Sequence, residues 1–157
     1  MPAEATRASN AAADPALLPH WLILGSVTLL GRPEHVRAAR QFVARTIGHD
    51  HPKADAAMLL TSELVTNAVT HGDGETLTLA IRCSRGYLRI DVYDQSRPLP
   101  LGMDGPADTD AGRGLVLVTA LSTEWGSFCT PAGKAMYFTL AFPPGQPAGC
   151  DRAAAGD

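Results

Sequence analysis

The stretch ELVTNAVTHG, residues 63–72, is mostly apolar and helix-compatible, yet Glu63, Asn67 and His71 recur in it at intervals of four. Four residues turn an α-helix by about 400°, so each step drifts only about 40° around the axis. The three side chains therefore form one polar file, beside an apolar strip of Leu60, Leu64 and Ala68 that Val65 and Val69 widen. Two readings stand at this point. A polar file on an amphipathic helix is ordinarily a solvated face. Solvated faces usually mix in Lys and Arg, however, and none occurs between Lys53 and Arg82. Two hard oxygen donors one turn apart also suit Mg²⁺ and water, and a carboxylate there can accept a proton from a hydroxyl.

Outward from this file, KADAAMLLTSELVTNAVTHG (53–72) reads as the strongest helix of the chain, with Gly72 as its C-cap. Before it, PEHVRAARQFVARTIG (33–48) has Pro at a helix start, Gly at its end and an apolar stripe of Val36, Ala39, Phe42, Val43 and Ile47. WLILGSVTLL (21–30) is a strand ended by Gly31 and Pro33. After the helix, TLTLAIRC (76–83) and YLRIDVYD (87–94) alternate cleanly and are joined by SRG as a hairpin. QSRPLPLGMDGPADTDAGRG (95–114) is rich in Gly, Pro and Asp and reads as a long loop. LVLVTALS (115–122) reads as a short helix, with strand as the lesser reading of its Val and Thr residues; EWGSFCT and KAMYFTLAF close the chain as a second hairpin around Pro-Ala-Gly. The order strand, helix, helix, two strands, helix, two strands predicts an α+β fold. It is a two-layer α/β sandwich, with a mostly antiparallel mixed sheet and helices on one face.

Three further features carry chemistry. Asp94 keeps the parity of Leu88, Ile90 and Val92, so it points to the helix-covered face at the end of its strand. A carboxylate there needs partners: it either accepts from a ligand such as the exocyclic amine of a base, or turns back onto its own backbone amides. AGRGL (111–115) leads into a helix, and two glycines let a backbone approach a ligand closely. Amides at a helix start attract phosphate, and Arg113 either adds a guanidinium or points to solvent. Lys134 follows Gly133 at the start of the last strand, where it either reaches phosphate or guards a strand end.

Composition sets the bounds. The chain has 157 residues, net charge −3, 45% hydrophobic and 18% charged residues, which fits one soluble domain with a real core. An acidic balance does not indicate direct nucleic-acid binding. No apolar run reaches the ~20 residues of a membrane helix, and the start MPAEATRASNAAADPALLPH lacks the pattern of a secretory signal. Cys83, Cys129 and Cys150 show no metal-binding spacing, and are read as free thiols in a reducing cytoplasm. Residues 1–20 and 143–157 read as disordered arms around one domain at 21–142.

The order of the pieces is more specific than any one of them. ELVTNAVTHG, VYDQSRPLP, GRGLVLVTALSTEWG and GKAMYF together resemble the N, G1 and G2 boxes of the GHKL (Bergerat) ATP-binding superfamily. Within it, the chain is most similar to the single-domain anti-sigma-factor serine/threonine kinases (RsbW-like). The resemblance covers nearly all of 21–142 and implies ATP and Mg²⁺ as cofactors. It implies Glu63 as the residue that activates the attacking hydroxyl, Asn67 as the Mg²⁺ ligand and Asp94 as the partner of the adenine amine. Gly112, Arg113, Gly114 and the adjoining Leu115 would wrap the phosphates. His71, Ser96, Pro98 and Lys134 complete the implied nucleotide-binding set, and 99–111 would be a lid. His71 either shapes the phosphate end or caps the negative end of its helix. One departure is the run Asp94-Gln95-Ser96-Arg97-Pro98, where many superfamily members carry glycines after the aspartate. The implied partners are a sigma factor and an anti-anti-sigma (STAS-type) protein, with a homodimer also implied and a cytoplasmic location. Two other readings are a binding module without catalysis and the catalytic fragment of a two-component histidine kinase. The latter would need an upstream helical hairpin bearing a phospho-accepting histidine, a setting that neither His20 nor His35 has.

Overall fold

The computed structural model describes the backbone of residues 21–71, 74–96 and 110–143. The arms expected at 1–20 and beyond Pro143, together with Gly72, Pro98 and residues 99–109 of the expected lid, lie outside the described residues. The elements run β1 (Leu22–Leu30), α1 (His35–Ile47), α2 (Ala54–His71), β2 (Thr76–Ser84), β3 (Tyr87–Asp94), α3 (Asp110–Leu121), β4 (Glu124–Thr130) and β5 (Gly133–Ala141). Gly48, at φ 92°, ends α1, and Gly86, at φ 74°, makes the β2–β3 turn; both are conformations that a side chain disfavours.

The strands form one five-stranded sheet in the order β1-β2-β3-β5-β4. All four pairings are antiparallel, so the mixed character expected from the sequence is not found among the described strands. The crossover through α3 lets β5 insert between β3 and β4. The core lies between the sheet and the helices. Leu77, Leu79 and Ile81 of β2, Leu88, Ile90 and Val92 of β3, and Phe138 and Leu140 of β5 pack there against Val43 of α1, Leu60, Leu64 and Val65 of α2 and Val118 of α3. Burying each such side chain contributes about 1.5–3 kcal/mol.

The third helix begins at Asp110, not at Leu115 as expected, so Ala111 to Gly114 are its first turn and not a loop before it. Glycine costs about 1 kcal/mol in a helix interior, but Gly112 and Gly114 sit near the start, and the apolar run behind them anchors the rest. Val118 of that run is fully buried.

On the sheet's other face, alternation predicts solvated Arg89 and Asp91, and the structure buries both. Arg89 is 2% exposed and Asp91 0%. The Arg89 guanidinium holds Asp91 through Nη2 at 2.8 Å and Nε at 3.1 Å, and Arg82 Nη1 reaches the same carboxylate at 2.9 Å. Burial pushes the Asp91 carboxyl up from its ordinary value, and the two guanidiniums pull against that shift. Arg89 also lies 4.0 Å over the Tyr137 ring. Cys83 is disulfide-bonded, which corrects the expectation of three free thiols; Cys129 is free and exposed. Among the described residues, no helix is long and apolar enough to cross a membrane.

Candidate functional site

The polar file lies on α2 as its spacing requires. Glu63 and Asn67 are half-buried and His71, the helix's last residue, is exposed. Ala57, Leu60, Thr61, Leu64, Val65 and Ala68 take the buried side of the same helix, which turns the file toward its rim.

Asn67 is tied to the sheet. Its Nδ2 donates to Met136 Sδ at 3.4 Å, which leaves the carboxamide oxygen available to another partner. Met136 pairs with Val92 in the β3–β5 ladder, and two residues along, Lys134 pairs with Asp94. Side chains two apart on a strand share a face, separated by about 7 Å. Asn67, Met136, Lys134 and Asp94 therefore meet on the helix-covered side of the sheet, where Asp94 was expected. This register places Lys134 beside Asp94. Leu115 is half-buried, and of Gly112, Arg113 and Gly114 only the helical backbone is described.

Asp94 is 7% exposed and Ser96 4%. The Ser96 backbone N–H donates to Asp94 Oδ1 at 2.8 Å, and the Ser96 hydroxyl donates to the same oxygen. This is the turn-type contact that the sequence held open as one of two readings, but it occupies one carboxylate oxygen only. Oδ2 has no hydrogen-bond partner among the described residues. A carboxylate can accept at both oxygens, so one acceptor remains for a donor from outside.

Two glycines fix where Asp94 sits. A Cβ at Gly133 would lie 2.2 Å from the Asp94 carbonyl oxygen and 2.7 Å from Gln95 Cα. A Cβ at Gly74 would lie 2.0 Å from Gln95 Oε1 and 2.6 Å from Gln95 Cβ. Gln95 is thus wedged between the approaches to β2 and β5, and only bare backbone on both sides admits it. A separate cavity of about 450 Å³ touches Asp94 and Gln95 but is walled by Thr76, Thr78, Tyr93 and Phe128. The ladder puts those four on the helix-free face, so this cavity is not the space beside Asn67.

The sequence left one contributor to the site unmarked, and a second residue, away from it, that braces the helices. Met136 reads as an ordinary strand residue, and only the ladder register brings it under Asn67. His51 closes the α1–α2 junction: its Nδ1 accepts the Lys53 N–H at 2.9 Å and its ring stands edge-on to Phe142 at 4.9 Å. Burial lowers its pKa, against the nearby Asp50.

No curated protein matches the chain. A family model does: residues 29–139 match the histidine kinase-like ATPase domain, a span that takes in Glu63, Asn67, Asp94 and Ser96. That match covers well over half of a chain whose antiparallel sheet and one-sided helices agree with it, and the chain belongs to the histidine kinase-like ATPase domain family.

Proposed function

We propose that this ATPase-family domain is a regulatory protein serine/threonine kinase of the anti-sigma type, which binds ATP with Mg²⁺ and phosphorylates an anti-anti-sigma (STAS-type) antagonist in the cytoplasm. The observation that carries the reading is the common face shared by the α2 file and the buried, half-satisfied Asp94. In this reading Asp94 Oδ2 accepts the exocyclic amine of adenine. Asn67 offers its amide oxygen to the cation. No group of three or more His, Cys, Asp or Glu gathers among the described residues, so phosphate and water oxygens would complete the Mg²⁺ shell, as is usual for that ion. ATP supplies the transferable phosphoryl group.

Glu63 stands one helical turn from Asn67 and accepts the proton of the serine hydroxyl that attacks. The residue is half-buried at the rim of α2, in line with Asn67. The backbone at Gly112 to Leu115, at the positive end of α3, would face the phosphates. Positioning and charge neutralisation supply most of the rate in such transfers. The phosphate added to the antagonist changes its surface charge and breaks or makes a complex; a sigma factor is the second partner, and a homodimer the assembly.

The test uses the whole chain with labelled ATP, Mg²⁺ and a STAS-type antagonist. Wild type transfers label to a serine or threonine. Glu63→Ala binds ATP within about threefold of wild type but loses transfer by about 10²–10⁴-fold, the usual weight of general-base catalysis. Equal transfer by both proteins, or ATP binding with no transfer by either, refutes the kinase reading and leaves a binding module.

A further inference from the structure

The departure after Asp94 has a structural use. Both donors of Ser96, the backbone N–H and the hydroxyl, are spent on Asp94 Oδ1. Both residues are more than nine-tenths buried, and Gln95 between them is held by Gly74 and Gly133. The carboxylate is therefore fixed in rotation, with Oδ1 filled and Oδ2 empty. The geometry points to Ser96 as a positioning residue that acts through Asp94 to select a purine nucleotide bearing an exocyclic amine over one bearing a carbonyl at the same place. This rests on the reading that Asp94 meets the base.

The physical reason is direction. A free carboxylate rotates and offers either oxygen, or a water bound to it, and a water can donate to a carbonyl as well as accept from an amine. A carboxylate with one oxygen locked presents a single acceptor at a fixed point. An amine satisfies it; a carbonyl oxygen meets it lone pair to lone pair, and a site built to pair a polar group rejects the analogue that cannot pair. Replacing Ser96 by Ala removes the hydroxyl bond but retains the backbone one. It loosens the carboxylate and leaves the fold's other contacts alone.

The experiment compares the full chain, wild type, Ser96→Ala and Ser96→Thr, by calorimetric titration with ATP and with inosine triphosphate, which carries a carbonyl in place of that amine and a proton on the adjacent ring nitrogen N1. Melting temperature is read in parallel. The expected result is ATP binding weakened about tenfold in Ser96→Ala, the scale of one hydrogen bond to a charged group. Inosine triphosphate changes little, so the ATP preference shrinks by about the same factor. Ser96→Thr, which restores a hydroxyl, recovers it. An ATP-to-inosine-triphosphate ratio unchanged in Ser96→Ala overturns the inference, as does a loss that Thr does not recover. Wild type that binds neither nucleotide sinks the functional reading itself; wild type that binds ATP with an unaltered ratio in the variant sinks only the role of Ser96.

Discussion

Replacing Gly133 by Ala tests how tightly the fold sets the position of Asp94. The added Cβ would stand 2.2 Å from the Asp94 carbonyl oxygen, 2.7 Å from Gln95 Cα and 2.8 Å from the Gln95 carbonyl carbon. All three are backbone atoms, so no side chain can swing away. Van der Waals contact between such atoms begins above 3 Å, so the start of β5 and the end of β3 must part by about 1 Å. Overpacking of this kind costs about 1–3 kcal/mol, and because the Gln95 wedge moves with the strand end, the upper part of that range is expected. For a domain of this size that lowers the melting temperature by about 10 °C. In the proposed reading the same displacement carries Asp94 off the adenine amine, and losing a charge-assisted hydrogen bond weakens ATP binding at least tenfold. The assay is thermal unfolding followed by circular dichroism, with ATP titration on the folded variant. Gly25→Ala is the control: its Cβ would meet the tip of the Phe42 ring at 3.2 Å, which a small ring shift relieves. A Gly133→Ala protein that melts within about 2 °C of Gly25→Ala, with unaltered ATP affinity, refutes the claim that bare backbone at 133 seats Asp94.

Two more outcomes follow from groups away from the site. Asp91→Ala leaves Arg89 buried without its carboxylate, and removing one member of a buried pair costs about 3–5 kcal/mol; chemical denaturation that shows less than about 1 kcal/mol contradicts the buried network. His51 has a pKa lowered from 6.5, chiefly by burial, so the folded protein holds fewer protons than the unfolded chain between that lowered value and 6.5. Stability is thus lost as pH falls below about 6.5, and the Nδ1 acceptor of the Lys53 amide is lost with it. His51→Asn keeps an acceptor that does not titrate, so its melting temperature should fall less than that of wild type between pH 7 and pH 5. Parallel slopes count against this reading.

The elements were legible because their periods are clean. TLTLAIRC and YLRIDVYD alternate, and the α2 stripe recurs at helical spacing, so their limits agree with the structure to within a residue or two. The inward direction of Asp94 followed from the same parity. The start of α3 was misread because Gly112 and Gly114 look like loop residues, whereas near a helix start their cost is small and the buried Val118 fixes the helix behind them. The burial of Arg89 and Asp91 was hidden for a different reason: alternation says which face a side chain takes, not what covers that face. Met136 and the Gln95 wedge depend on ladder register between strands some forty residues apart, which a local pattern does not encode.

The place of β5 in the sheet has a consequence for the order of assembly. The strand that flanks Asp94, supplies Met136 to Asn67 and gives Gln95 its second wall is the last of the described strands, and it enters between β3 and β4. Helix α2 and the β2–β3 hairpin make local contacts and can form early, but β3 keeps an open edge until the C-terminal hairpin arrives. Such non-local pairing is the slow part of folding. A chain halted before Gly133 on the ribosome would hold Glu63, Asn67 and Asp94 and still lack the strand that Asn67 and Asp94 pack against, so in the proposed reading nucleotide recognition switches on only once β5 has been made.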